Sequence, residues 1–124
     1  GMTAQHSAEK LVQEVPNRLS VDIAPPSVTH PVVRTHPGTG RKALYINPHY
    51  TMNFTGWTPE ESQPLLDMLT ARATRPENTF RHHWRVGDVL MWDNRCTMHY
   101  AVRDYDDTMP RFMYRTTAAG DRPY

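Results

Sequence analysis

Hydrophobic and polar positions change rhythm several times along this chain, and each rhythm predicts an element. Residues 32–36 are β-prone, and residues 42–47 (KALYIN) alternate well enough to be a returning strand. Pro37-Gly38-Thr39-Gly40 between them is a turn by composition, so the stretch predicts a β-hairpin. The rhythm then becomes helical. Leu65, Leu66, Leu69 and Ala73 recur at helical spacing behind Thr58-Pro59-Glu60-Glu61. That leader sets Thr at the N-cap, Pro at the first helical position and Glu at the third, so that cap and Glu satisfy each other's backbone amides. Pro64 removes one donor from the second turn and predicts a slight bend rather than a break.

The last third returns to strand-like patterning. Arg85-Val86-Gly87-Asp88 reads as a turn into a strand over 89–92, followed by strands over 97–102 and 111–118. The first 29 residues are patterned least. Ser7 caps a short helix over 7–15, with Leu11, Val12 and Val15 on one face and Pro16 ending it. Residues 17–29, with Pro25-Pro26, read as an extended linker. Gly1 before Met2 is set aside as a remnant of tag removal. The organisation expected is an N-terminal arm or linker over 1–29 and one mainly β domain over 30–124, with one or two helices in all.

Composition narrows this picture. The chain has 124 residues, 38% of them hydrophobic and 11 of them proline, which suits a loop-rich β domain or a piece of something larger. Fourteen basic residues stand against 13 acidic ones, so there is no concentrated basic face for nucleic acid. No apolar run is long enough to span a bilayer, and the N-terminus has no signal-peptide pattern. The single cysteine, Cys96, excludes an internal disulfide and fits a reducing, cytoplasmic setting.

Seven histidines invite a metal hypothesis. A compact iron site built from two histidines and a carboxylate usually takes two ligands from a His-x-Asp or His-x-Glu pair. Here the residues two positions after the histidines are Ala8, Val32, Gly38, Thr51, Trp84, Arg85 and Ala101, none of them acidic. Zinc spacing is excluded by the lone cysteine. His82 and His83 would face opposite sides of a strand and read as polar or hydrogen-bonded surface histidines. His99 lies in the strand-like run Thr97-Met98-His99-Tyr100-Ala101-Val102, and Arg111 and Arg115 share one face of the next. Two arginines beside a histidine suit small carboxylates, which guanidinium groups grip with two prongs. The residues alone leave a second reading open, with both arginines solvated or paired to Asp104, Asp106 or Asp107.

The run from Gly87 through Trp92-Asp93-Asn94 to His99-Tyr100-Ala101 resembles the segment of the TauD/TfdA family, Fe(II)- and 2-oxoglutarate-dependent dioxygenases, that carries the distal iron histidine. Arg111-Phe112-Met113-Tyr114-Arg115 is similar to the arginine-bearing strand that follows it. His30-Pro31-Val32-Val33-Arg34-Thr35-His36-Pro37 and Ala43-Leu44-Tyr45-Ile46-Asn47 resemble further stretches of the same enzymes, in family order. The resemblance covers roughly residues 30–123. It implies His99 as the distal metal ligand and Arg111 as the partner of the far carboxylate of 2-oxoglutarate. It implies Arg115 as a contact for an acidic group on the substrate, and Tyr50 as an aromatic beside the substrate. Trp92-Asp93-Asn94 matches a structural turn, in which Trp92 and Asp93 pack and cap without chemistry.

The implied fold is the C-terminal portion of a double-stranded β-helix, or jelly roll. The implied activity of a full-length form is hydroxylation of a small, acidic substrate with decarboxylation of 2-oxoglutarate. The family's His-x-Asp pair lies upstream of the matched segment and residues 1–29 hold none, so the chain reads as a fragment or truncated member, inactive by itself. Part of a jelly roll bares strand edges and core, from which a homo-oligomer is expected. The rival expectation is a non-catalytic homo-oligomeric β module or degenerate family member, and a third is a metal site assembled from histidines of two chains.

Overall fold

Five short strands and one helix make up the regular structure of the computed structural model, which describes residues 1–6, 27–106, 108 and 110–124. The strands are β1 (Thr3–His6), β2 (Val28–Pro31), β3 (Val33–Thr35), β4 (Lys42–Leu44) and β5 (Thr51–Phe54). The helix, α1, spans Pro59–Ala73 and is followed by a single 3-10 turn over Pro76–Asn78. The helix expected over 7–15 lies outside the described residues, as does most of the expected linker.

The predicted hairpin is present. β3 and β4 pair antiparallel, with Val33 opposite Leu44, Arg34 opposite Ala43 and Thr35 opposite Lys42. Gly40 closes the turn at φ 69°, a left-handed conformation that glycine adopts without steric cost. On the far edge of β3, the Thr35 amide donates to the Tyr124 carbonyl at 2.8 Å, which brings the end of the chain beside the hairpin.

A second sheet, in the order β2-β1-β5, was not foreseen from the pattern. β1 is its central strand and sets Ala4 opposite both His30 and Phe54. Four-residue strands offer too few alternations to read against background, and β1 and β5 come together from positions some fifty apart. The core lies between this sheet and α1, with Ala4, Val32, Ile46, Phe54 and Leu66 buried and Leu65 and Leu69 packed against them.

α1 begins as its sequence predicts. The Thr58 side chain accepts from the Glu61 amide at 3.2 Å, and the Glu61 carboxylate accepts from the Thr58 amide at 2.8 Å. Pro64 sits inside the helix without ending it. The fully buried Ser62 ties helix to sheet: its hydroxyl accepts from the Phe54 amide at 3.0 Å and donates to the Thr58 carbonyl at 2.8 Å.

The strands expected over 89–92, 97–102 and 111–118 are not strands in any ladder of the structure. These segments form no regular element, and Val89, Met91, Phe112 and Tyr114 are almost fully exposed. The physical reason is partnership. Strand propensity becomes a strand only when a neighbour takes up its amides and carbonyls, and the described residues place none beside these segments. The architecture is therefore mainly β with one helix.

Candidate functional site

The four residues singled out by sequence each have their own neighbours among the described residues. His99 is exposed, with its ring 4.6 Å from that of Trp92. Arg111 is exposed, and its guanidinium lies over the Tyr105 ring at 5.4 Å. Arg115 is exposed as well, and Tyr50 is half-buried with its ring 6.5 Å from that of His49. Among the described residues, no hydrogen bond or ion pair joins His99, Arg111 and Arg115, and neither arginine pairs with Asp104 or Asp106 (Asp107 lies outside the described residues). Asp106 is instead engaged by the Thr108 amide at 2.8 Å.

Just before His99, the Trp92-Asp93-Asn94 turn is built as a rigid unit. The Asp93 carbonyl accepts from the Thr97 amide at 3.0 Å and the Thr97 hydroxyl at 2.6 Å, and the Trp92 indole donates to Asn94 Oδ1 at 2.7 Å. The Asp93 carboxylate is gripped by Arg95, whose Nε lies 2.8 Å from Oδ1 and whose Nη2 lies 2.7 Å from Oδ2. It also receives His36 Nε2 at 3.0 Å. His36 Nδ1 accepts from the Gly38 amide at 3.1 Å, which fixes the ring proton on Nε2, pointing at Asp93. The Arg95 hydrogen bonds first, and then the His36 bond, hold the Asp93 carboxyl well below the usual carboxylate range. This latch ties the hairpin to the segment that carries His99. Sequence reasoning recognised its Asp93 end as a structural turn and missed its His36 end, because no local signal links residues 57 apart.

His36, Asp93 and Cys96 bring one ligand-type atom each within 4.8 Å of one another, the one such group among the described residues. It does not suit a metal ion. Both Asp93 oxygens are already committed to Arg95 and His36, and the Arg95 guanidinium would repel a second cation there. His99 is not in that group and belongs to no other group of three or more such residues among those described. The described residues therefore do not fit an iron site by themselves. His82 also has a structural partner: Asp88 Oδ2 lies 3.0 Å from its Nε2. A groove of about 310 Å³ lies between α1 and the stretch around β5, lined by Ile46, Met52, Gln63, Leu66 and Asp67, and none of the four singled-out residues lines it.

Comparison with known proteins identifies the lineage. The family described as "Taurine catabolism dioxygenase TauD, TfdA family" matches residues 1–117. The chain belongs to the TauD/TfdA family. It is 48% identical over 94 residues to an alpha-ketoglutarate-dependent sulfate ester dioxygenase of Pseudomonas putida, an alignment that covers 76% of this chain and 31% of that protein. It is 44% identical over 99 residues to an alpha-ketoglutarate-dependent 2,4-dichlorophenoxyacetate dioxygenase of a Burkholderia species, covering 80% of this chain and 33% of the relative. Among solved structures, AAD-2 in complex with Mn(II) and N-oxalylglycine superposes with a TM-score of 0.71 at 32% identity, over 88% of this chain and 44% of that one. The chain thus spans about a third of the length of the curated relatives it matches. The TauD/TfdA match also reaches the β1 region, upstream of where the motifs alone placed the resemblance.

Proposed function

We propose that this chain carries the distal-histidine portion of an Fe(II)- and 2-oxoglutarate-dependent dioxygenase acting on a small organic acid, and that alone it is inactive. In this reading His99 supplies one metal ligand, Arg111 grips the far carboxylate of 2-oxoglutarate, Arg115 meets the acidic group of the substrate, and Tyr50 stands beside the substrate. The observation that carries it is the state of the two arginines. Both are exposed and neither is neutralised by a carboxylate among the described residues, in a chain whose relatives are named for alpha-ketoglutarate and for a sulfate ester or a phenoxyacetate. The two substrates share an anionic group, which is what a guanidinium recognises. The missing His-x-Asp pair and the lone position of His99 support inactivity of the isolated chain. A reducing, cytoplasmic setting suits both the single free cysteine and the ferrous chemistry of the family.

Succinate formation from 2-oxoglutarate in the presence of ferrous iron and ascorbate tests the reading. The isolated chain stays at background, and iron-dependent turnover by it would refute the proposal. In a longer polypeptide that joins these residues to a His-x-Asp pair, Arg111→Lys keeps the charge and loses the two-pronged grip. A charge-assisted hydrogen bond is worth about 1.5 to 3 kcal/mol, so affinity for 2-oxoglutarate falls about ten- to a hundredfold. His99→Ala in the same polypeptide abolishes iron binding instead, and unchanged affinities in both variants would reject these assignments.

A further inference from the structure

A second cationic centre lies away from His99, Arg111 and Arg115, around the ring of Tyr45. Arg34 sits on β3 directly opposite Ala43 and is only 2% exposed. Its guanidinium carbon lies 4.8 Å from the centroid of the Tyr45 ring, which covers one of its faces. Its Nε and Nη2 are shielded from solvent and have no hydrogen-bond partner among the described residues. The same Tyr45 ring is 6.0 Å from that of His6 and 5.6 Å from that of His30, and the two imidazoles meet edge-on at 5.3 Å. His6 Nε2 is also shielded and has no hydrogen-bond partner among the described residues. Arg122 completes the group: with Arg34 it adds to the burial that disfavours a proton on His30, and the Thr35–Tyr124 backbone bond holds that end of the chain beside β3. No ion pair to a carboxylate is present at any of these residues among those described.

A buried guanidinium without a partner costs several kcal/mol, far more than a protein spends without return. We propose that Arg34 is the floor of a binding site for a small carboxylate, taken side-on by its Nε and Nη2, with the His6 and His30 rings beside it across Tyr45. Geometry favours a carboxylate over other anions. Its two oxygens lie in one plane and match the edge of the guanidinium, while the Tyr45 ring occupies the space beside that plane. A tetrahedral oxyanion would push an oxygen against the ring. Because both nitrogens are covered, entry requires the covering side chains to shift outward. The site goes beyond the dioxygenase reading and does not depend on it, since none of its residues is among those assigned to iron, 2-oxoglutarate or substrate.

The test is a titration of the full chain with sodium acetate at constant ionic strength, with sodium chloride as the balancing salt. It is followed through the Arg34 Nε–H signal and the imidazole proton signals by NMR. Saturable shifts are expected at Arg34, His6 and His30, and none at the exposed His49 and His83. Arg34→Lys keeps a charge and loses the side-on edge, and should raise the half-saturating acetate concentration at least tenfold. Sulfate in place of acetate should bind more weakly. The absence of saturable shifts at Arg34, His6 and His30 in the unaltered chain overturns the proposal, whether or not the variant folds. So does undiminished acetate binding by a folded Arg34→Lys variant. Sulfate binding as tight as acetate overturns the carboxylate assignment.

Discussion

His6 links burial to acid sensitivity. Burial of its ring, and then the neighbouring His30, pull its pKa down to about 4. The folded chain therefore holds His6 neutral at pH values where the unfolded chain has taken up a proton. Above about pH 6.5 the residue costs nothing, and between pH 6.5 and 4 a penalty accumulates as pH falls, then levels off. The residue is only half-buried, so the loss amounts to about 1 to 2 kcal/mol. Urea midpoints measured from pH 7 to pH 4 should fall, and His6→Phe should flatten most of that slope. An unchanged slope in the variant would assign the acid sensitivity elsewhere. Asp93 acts in the same direction but lower, since its depressed carboxyl must be protonated before its grip on Arg95 and His36 is lost. At this scale the sequence spoke unevenly. Asp93 and Trp92 were legible as a turn because all their backbone partners lie within five residues. Arg34 was not, because a charged residue pointing inward between two outward valine and threonine positions reverses the usual alternation.

Among the elements, the best-read ones are those whose causes are local. The capping box of α1 and the β3–β4 hairpin each draw on a dozen residues or fewer, and both stand where the pattern puts them. β1 and β5 were illegible because their pairing is decided by distant chain. The segments over 89–92, 97–102 and 111–118 failed for the converse reason, having propensity without partners. The helix start provides a quantitative check. Thr58→Ala removes the acceptor for the Glu61 amide and should cost about 1 kcal/mol. Ser62→Ala should cost more, about 1 to 3 kcal/mol, because it leaves the buried Phe54 amide with no acceptor. Chemical denaturation of the two variants beside the parent decides the order, and a larger loss for Thr58→Ala would contradict it.

Across the whole molecule the imbalance lies in the apolar surface. Among the described residues five buried hydrophobic ones form the core, while Phe80, Val86, Val89, Met91, Phe112 and Tyr114 are each more than four-fifths exposed. Large apolar side chains bared in such number on one stretch of chain favour association. The chain should form dimers or larger assemblies, through interfaces of the usual size of about 1,200 to 2,000 Å². Light scattering at micromolar concentration reads this directly, and a stable monomer would count against it.

The latch between His36 and Asp93 also bears on time. It closes a loop of 57 residues that contains β4, β5 and α1, whereas the β3–β4 hairpin and the cap of α1 make their contacts at short range. Closing a long loop costs chain entropy before any contact repays it, so short-range units form early and the latch closes after them. Asp93→Ala should therefore leave the refolding rate nearly unchanged and speed unfolding, carrying almost its whole effect on the unfolding arm of a chevron. Slowed refolding with an unaltered unfolding arm would mean that the two ends of this loop find each other first. Under the expected order, the turn that presents His99 is the last part of the molecule to settle and the first to let go.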